Sequence, residues 1–296
     1  MILVFTFRKC MICFWCIFGL FFSLASYAVP SDAVEHVVWL SLTDSEFKKY
    51  LKEYKKKGYM PIDFEVVVDG DDRTYTLIMK KAAKPEGFVG RYAKAKWAIR
   101  KELASKEFKD VWRSFLRKGY RPIDMESYEY GGQQYYGAIW LKDKEVSWVS
   151  YRDLSLTEFD LVWDEAKASN QIPVDINAYA NLGKLKLSAI FVDNDSKFDW
   201  ALDRKVSYQK LPEHITQMTK DGYRMLDSSA YINGSSQYYT VLWLRDGVDW
   251  RFEREAERSA FDAAMVRYED EGFGLVDVEV YVTRIGLRYT GIWVKE

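Results

Sequence analysis

In the stretch EFKDVWRSFLRKGY, residues 107 to 120, the apolar positions are Phe108, Val111, Trp112, Phe115 and Leu116, with charged residues between them. That three-and-four spacing predicts a helix with one apolar face. Gly119 follows, the residue type that a left-handed helix stop prefers, and Pro122 cannot continue the helix. From Ile123 the period changes to two. Ile123, Met125 and Ser127 alternate with Asp124, Glu126 and Tyr128, which predicts a strand. YGGQQ, residues 130 to 134, reads as a turn, and YYGAIWL, residues 135 to 141, as a second, antiparallel strand.

The pattern recurs five times. Its openers are Phe47, Phe108, Phe159, Leu211 and Phe261, and eleven residues later stand Gly58, Gly119, Asn170, Gly222 and Gly272. Five further on, Asp63, Asp124, Asp175, Asp227 and Asp277 occur without exception. Val67, Tyr128, Tyr179, Tyr231 and Tyr281 follow four later, and Met79, Trp140, Phe191, Trp243 and Trp293 twelve beyond those. The last series varies only among large apolar types, which predicts burial between sheet and helices. Thr43 to Glu46 and Ser155 to Glu158 fit the capping box at a helix start. A lone unit cannot bury its apolar face, so neighbours must stack. Trp97, Trp148, Trp200 and Trp250, each eleven residues before an opener, suggest a short extra strand. Trp39 reads as the tail of a missing earlier unit, able to complete the last unit and close a ring. The fold class expected is α+β: five tandem αββ repeats forming a wide antiparallel sheet with helices packed on one face.

The first 28 residues carry Arg8 and Lys9, an apolar run from Cys10, and small residues at Ser26 and Ala28. They read as a cleaved secretory signal, with an uncleaved membrane anchor as the alternative, leaving residues 29–296 as a single repeat domain in the periplasm or outside the cell. All three cysteines (Cys10, Cys13 and Cys16) lie in that segment, so the expected mature chain has no disulfide and no thiol chemistry. Removing the leader takes the net charge from −1 to −3, which gives no reason to expect nucleic acid as a partner. No second segment approaches the length of a membrane span, so no membrane contact is expected beyond the signal.

In its register of Phe, Trp, GYRP, Tyr, GG and YGAIW, clearest in residues 108 to 148, the chain resembles the tandem repeat found in many exported bacterial proteins and in the N-terminal domain of polyglycine hydrolases. The resemblance covers about residues 35 to 296. It departs at Asn170, where a Gly is usual, and at GFGLVD, residues 272 to 277, which lacks the Pro. It implies a wide antiparallel sheet backed by helices. In those hydrolases the peptide-cleaving serine lies in a separate β-lactamase-like domain that these residues do not contain, so the activity is not carried over.

Candidate chemistry is sparse. Ser45 with Lys48 fits Ser-x-x-Lys, and Tyr231 with Asn233 fits Tyr-x-Asn, but a Lys-Thr-Gly is missing. His36 and His214 are the only histidines and sit in unrelated register, which ill supplies a triad or a metal site. DGDD, residues 69 to 72, lacks the rest of a calcium loop. No cofactor is expected.

One constellation stands out. Stacked units would align Asp124 and Glu126 beside Tyr128, Asp175 beside Tyr179, Asp227 beside Tyr231, and Asp277 and Glu279 beside Tyr281. Asp63, Glu65, Asn177 and Ser229 fall in the same rows. Aromatic planes flanked by acids suit sugars, peptides or cations, whereas the Asp could equally bond turn amides and the Tyr pack across strands. The reading reached is an exported, non-enzymatic module that binds or scaffolds a peptide or glycan polymer, or another exported protein. Its alternatives are a secreted hydrolase and an accessory subunit of a separately encoded serine hydrolase.

Overall fold

A computed structural model describes residues 35–81, 96–143, 146–181, 184–233, 236–283 and 285–295. The leader predicted over residues 1–28 lies outside them. Unit one contains β1 (Glu35–Leu42), α1 (Asp44–Lys56), β2 (Met60–Asp69) and β3 (Asp72–Lys81). Unit two contains β4 (Trp97–Ala104), α2 (Ser105–Arg117), β5 (Tyr120–Tyr130) and β6 (Gln133–Lys142). Unit three contains β7 (Trp148–Leu154), α3 (Leu156–Ala168), β8 (Gln171–Asn181) and β9 (Lys184–Asp193). Unit four contains β10 (Asp199–Ser207), α4 (Leu211–Lys220), β11 (Arg224–Asn233) and β12 (Ser236–Arg245). Unit five contains β13 (Trp250–Ala256), α5 (Arg258–Asp270), β14 (Phe273–Thr283) and β15 (Gly286–Lys295).

The helices begin and stop as the residues require. Thr43 Oγ1 accepts the N–H of Glu46 while Glu46 accepts that of Thr43, and Ser155 with Glu158 repeats the arrangement. Gly58, Gly119, Asn170, Gly222 and Gly272 all have φ between +54° and +87°, the left-handed stop.

The α+β class, the five tandem repeats and the antiparallel pairing all stand. Three details differ from expectation. The strands divide into five three-stranded sheets rather than one wide sheet. In each sheet the last strand of the unit lies in the middle, paired with both others. The Trp-led strand belongs to the unit it opens, making the repeat βαββ. Trp39 therefore completes its own unit, its strand pairing with β3 and not with unit five. Counting from the openers, His36 rather than Trp39 occupies the place of Trp97, Trp148, Trp200 and Trp250.

A ring nevertheless closes, without strand pairing between units. β2, β5, β8, β11 and β14 neighbour one another in succession, and β14 returns to β2. The units stand as three-stranded blades of a propeller, each with its own helix. Alternation on the middle strand explains the seams. Trp140 packs in its own unit on Phe108, Trp112 and Phe115, while Ile190 of the next unit enters that same cluster. Ile292 likewise enters the core of unit four, and Ile78 of unit one enters that of unit five beside Phe261 and Trp293. The closing seam also carries a hydrogen bond between Ser41 Oγ and the Tyr289 hydroxyl at 3.1 Å, across 248 residues of chain. His36 is half-buried there with its ring against Gly274, where a Cβ would come within 2.6 Å of it.

Candidate functional site at the ring axis

Each invariant Asp follows a bulge, between Pro61 and Asp63 in unit one and at equivalent places in the other four. The extra residue re-aims the strand, and the Asp reaches the preceding unit. Asp124 Oδ2 accepts the backbone N–H of Phe64 at 3.1 Å, and Asp227 Oδ2 that of Ile176 at 2.6 Å. Two seams are thus stitched by one carboxylate oxygen each. At the other three, the Oδ2 atoms of Asp175, Asp277 and Asp63 are buried and accept no hydrogen bond.

Two residues further along each inner strand stand Glu65, Glu126, Asn177, Ser229 and Glu279. The eight acids converge. Asp63 is repelled by Asp124 and Glu279 in the adjoining units and also by Asp227, two units away, which a shared centre explains. Asp124 lies close to Asp175, and Glu65 close to Glu126. Among the described residues none of the eight has a salt-bridge partner. Burial first, and then mutual repulsion for most of them, raises every one of these acids. Glu126 and Asp227 are pushed up to about 7, chiefly by burial, with the Glu65 carboxyl beside Glu126 and the Ile176 N–H donating to Asp227 acting against the rise.

The Tyr row is placed at the seams. Tyr128, Tyr179 and Tyr231 are buried and Tyr281 is half-buried. Tyr179 donates to Asp153 Oδ1 at 2.8 Å, and Tyr281 to Glu255 Oε1 at 2.9 Å. The same carboxylates receive the hydroxyls of the preceding units, Tyr136 at 2.7 Å and Tyr239 at 2.8 Å. Tyr75 donates to Glu102 at the corresponding seam. Glu102, Asp153 and Glu255 occupy a bulge in the Trp-led strand with φ near +60°, +60° and +52°, a strained place for a residue with a Cβ. Tyr231 instead donates to the Arg204 carbonyl at 2.9 Å. Sequence reasoning missed these bulge acids; the signal was an acid six residues before three of the openers.

Also missed were Tyr135 and Tyr238, half-exposed and next to the hairpin turns. They stack on Tyr128 and Tyr231 with ring centroids 5.9 Å apart in each pair and interplanar angles of 21° and 24°. Lys186 and Arg288 hold the same register opposite Tyr179 and Tyr281.

The motif fragments do not assemble. Lys48 is paired with Asp44 on its own helix, and Ser45 contacts Thr43 Oγ1 at 3.2 Å. His214 Nε2 lies 2.5 Å from Asp203 Oδ2, which also accepts the Trp243 indole N–H at 2.7 Å. Among the described residues, no three His, Cys, Asp or Glu are grouped so as to chelate one metal ion directly. None of the described helices is long and apolar enough to cross a membrane.

A closed ring of five βαββ units defines a tandem-repeat fold. A family model described as polyglycine hydrolase-like, structural repeat matches residues 37–82, 94–143, 145–194, 199–246 and 247–296, one match per unit. The chain belongs to that family. No curated protein matches it.

Proposed function

We propose that this chain is an exported, non-enzymatic ring that binds a peptide or glycan polymer of the cell wall or extracellular space. The observation that carries the reading is the rim of stacked tyrosines: Tyr135 on Tyr128 and Tyr238 on Tyr231. In each pair the buried tyrosine holds its partner flat, so a half-exposed aromatic plane is presented with little conformational entropy left to lose on binding. Sugar rings and extended peptides pack on such planes. On the intervening units the same register is filled by Lys186, which donates to the Asp153 carbonyl, and Arg288, which pairs with Glu257. The acid and tyrosine rows then serve mainly as the frame beneath this rim. Export rests on the leader pattern of the first 28 residues.

Sedimentation of the purified chain with insoluble peptidoglycan and a panel of polysaccharides tests the reading. Retention is expected on at least one, falling tenfold or more in the Tyr135→Ala/Tyr238→Ala variant with its circular dichroism unchanged. Equal retention of wild type and variant would remove the rim from consideration. No retention on any polymer would shift weight to a protein partner.

A further inference from the structure

We propose that the end of the ring away from the hairpin turns carries, on units one and two, a basic docking strip for an acidic polysaccharide. The strip lies opposite the tyrosine rim and does not depend on it. The helices run down to this end, and their last residues differ around the ring. α1 closes on Lys55, Lys56 and Lys57, and α2 on Arg117 and Lys118, whereas α5 closes on Glu269, Asp270 and Glu271. Helix C-termini favour cations, yet α5 forms with acids there, so the fold does not require the lysines. Two more lysines join them between the units: the Lys142 N–H donates to the Lys96 carbonyl at 2.7 Å. Lys55 Nζ lies 4.2 Å from the centre of the Trp97 ring, next in the chain to Lys96. Lys142 Nζ lies 5.9 Å from that of Tyr120, two residues after Lys118. One continuous strip therefore runs from the end of α1, past the start of β4 and the end of β6, to the end of α2.

Lys55, Lys56, Lys96, Arg117, Lys118 and Lys142 are exposed. Among the described residues none of these has an ion-pair partner, while Lys57 is held by Glu53 at 2.8 Å. Like charges gathered on two neighbouring units repel one another, in a chain whose net charge is only −1. An anionic ligand relieves that repulsion, and the surroundings say of which class. All but Arg117 are lysines, point charges that answer to charge density rather than to the planar geometry of one group. Trp97, Phe115 and Tyr120 lie beneath Lys55, Lys118 and Lys142. They steady the ammonium groups and are themselves covered, which leaves no open plane for stacked bases. Among the described residues Leu116, 51% exposed, is the single large apolar side chain exposed beside the strip. A membrane surface takes a whole apolar face. An extended polymer with a charge on each repeat, an acidic polysaccharide, matches what remains.

Binding of the purified chain to immobilised polygalacturonate is the test, with dextran and phosphatidylglycerol vesicles alongside. Binding to polygalacturonate and not to dextran is expected, weakening by about tenfold or more between 50 and 200 mM NaCl as counterions compete. The Lys55→Gln/Lys96→Gln/Lys118→Gln/Lys142→Gln variant, with unchanged circular dichroism, should lose a similar factor at the lower salt. Lys106→Gln/Lys109→Gln/Lys184→Gln/Lys220→Gln removes the same charge elsewhere and should bind as wild type does. Tyr135→Ala/Tyr238→Ala should also bind normally, so the strip and the rim fail separately. No binding to polygalacturonate at the lower salt would overturn the strip. So would equal loss in the two lysine variants, which would make net charge the cause. Binding to the vesicles with none to polygalacturonate would overturn it as well, in favour of a membrane partner.

Discussion

At the scale of single residues, the axial acids govern how stability depends on pH. Glu126 and Asp227 sit near 7 in the fold, against ordinary values of 4.5 and 3.8. The folded chain therefore binds more protons than the unfolded chain between about pH 4 and 7, and stability falls as pH rises through that window. The other six acids are raised by the same burial and act in the same direction. His36 acts in the opposite sense. Burial lowers it from 6.5 to about 3, so its contribution is intact above pH 6.5 and is lost as pH falls. From pH 8.5 to 7 the acids act alone, and the urea midpoint measured in EDTA should rise as pH is lowered. Glu126→Gln should flatten that slope and be no less stable than wild type at pH 8.5. A wild-type midpoint independent of pH in this range would contradict the buried, unpaired state of the ring. The alternation of Asp124, Glu126 and Tyr128 was readable from the period of two. Their burial was not, because a strand pattern names a shared face and not what covers it.

At the scale of elements, the helix signals carried directly into structure. Thr43 with Glu46 and Ser155 with Glu158 close complete capping boxes, because both partners lie within four residues and need no tertiary help. Ser155→Ala should cost about 1 kcal/mol, read as a lower urea midpoint at unchanged slope. α2 retains only half a box: Glu107 accepts the N–H of Ala104 at 3.1 Å, and Ala104 has no side-chain acceptor. Ala104→Ser should raise the midpoint by a comparable amount. The Trp-led strand shows where local signals stop. Its existence follows from Trp97, Trp148, Trp200 and Trp250, but its ownership does not. Chain order places it between two units, and only its register on the middle strand of the following unit decides the matter.

At the scale of the whole molecule, closure by packing changes how the chain should unfold. An open stack of repeats frays from its ends. Here Val38, Leu40 and Ile78 of unit one share a buried cluster with Phe261, Phe273 and Trp293 of unit five, so neither end is free. Ile78→Ala should cost about 2–5 kcal/mol, as for any fully buried isoleucine. Hydrogen exchange should then report a similar fall at core amides of units one, three and five. A loss confined to unit one would mean that the ring opens at its seam before it melts. His36 and Gly274 mark the same seam in sequence, the one standing where other units have Trp and the other providing the room its ring occupies.

What the sequence determined by itself was everything with a short period. Helices at a spacing of three and four, strands at two, caps, left-handed stops and five units in one register all depend on neighbours along the chain. Tertiary structure alone decided which unit owned each Trp-led strand, that the fifteen described strands form five sheets, and that the acid row meets at an axis. Those outcomes depend on how bulged, twisted strands stack across 260 residues, and a small rotation per unit separates an open sheet from a ring. The row of Asp residues looks the same in either case. Only closure brings Asp63 to face Glu279, and with it the buried charge that gives the axis its chemistry.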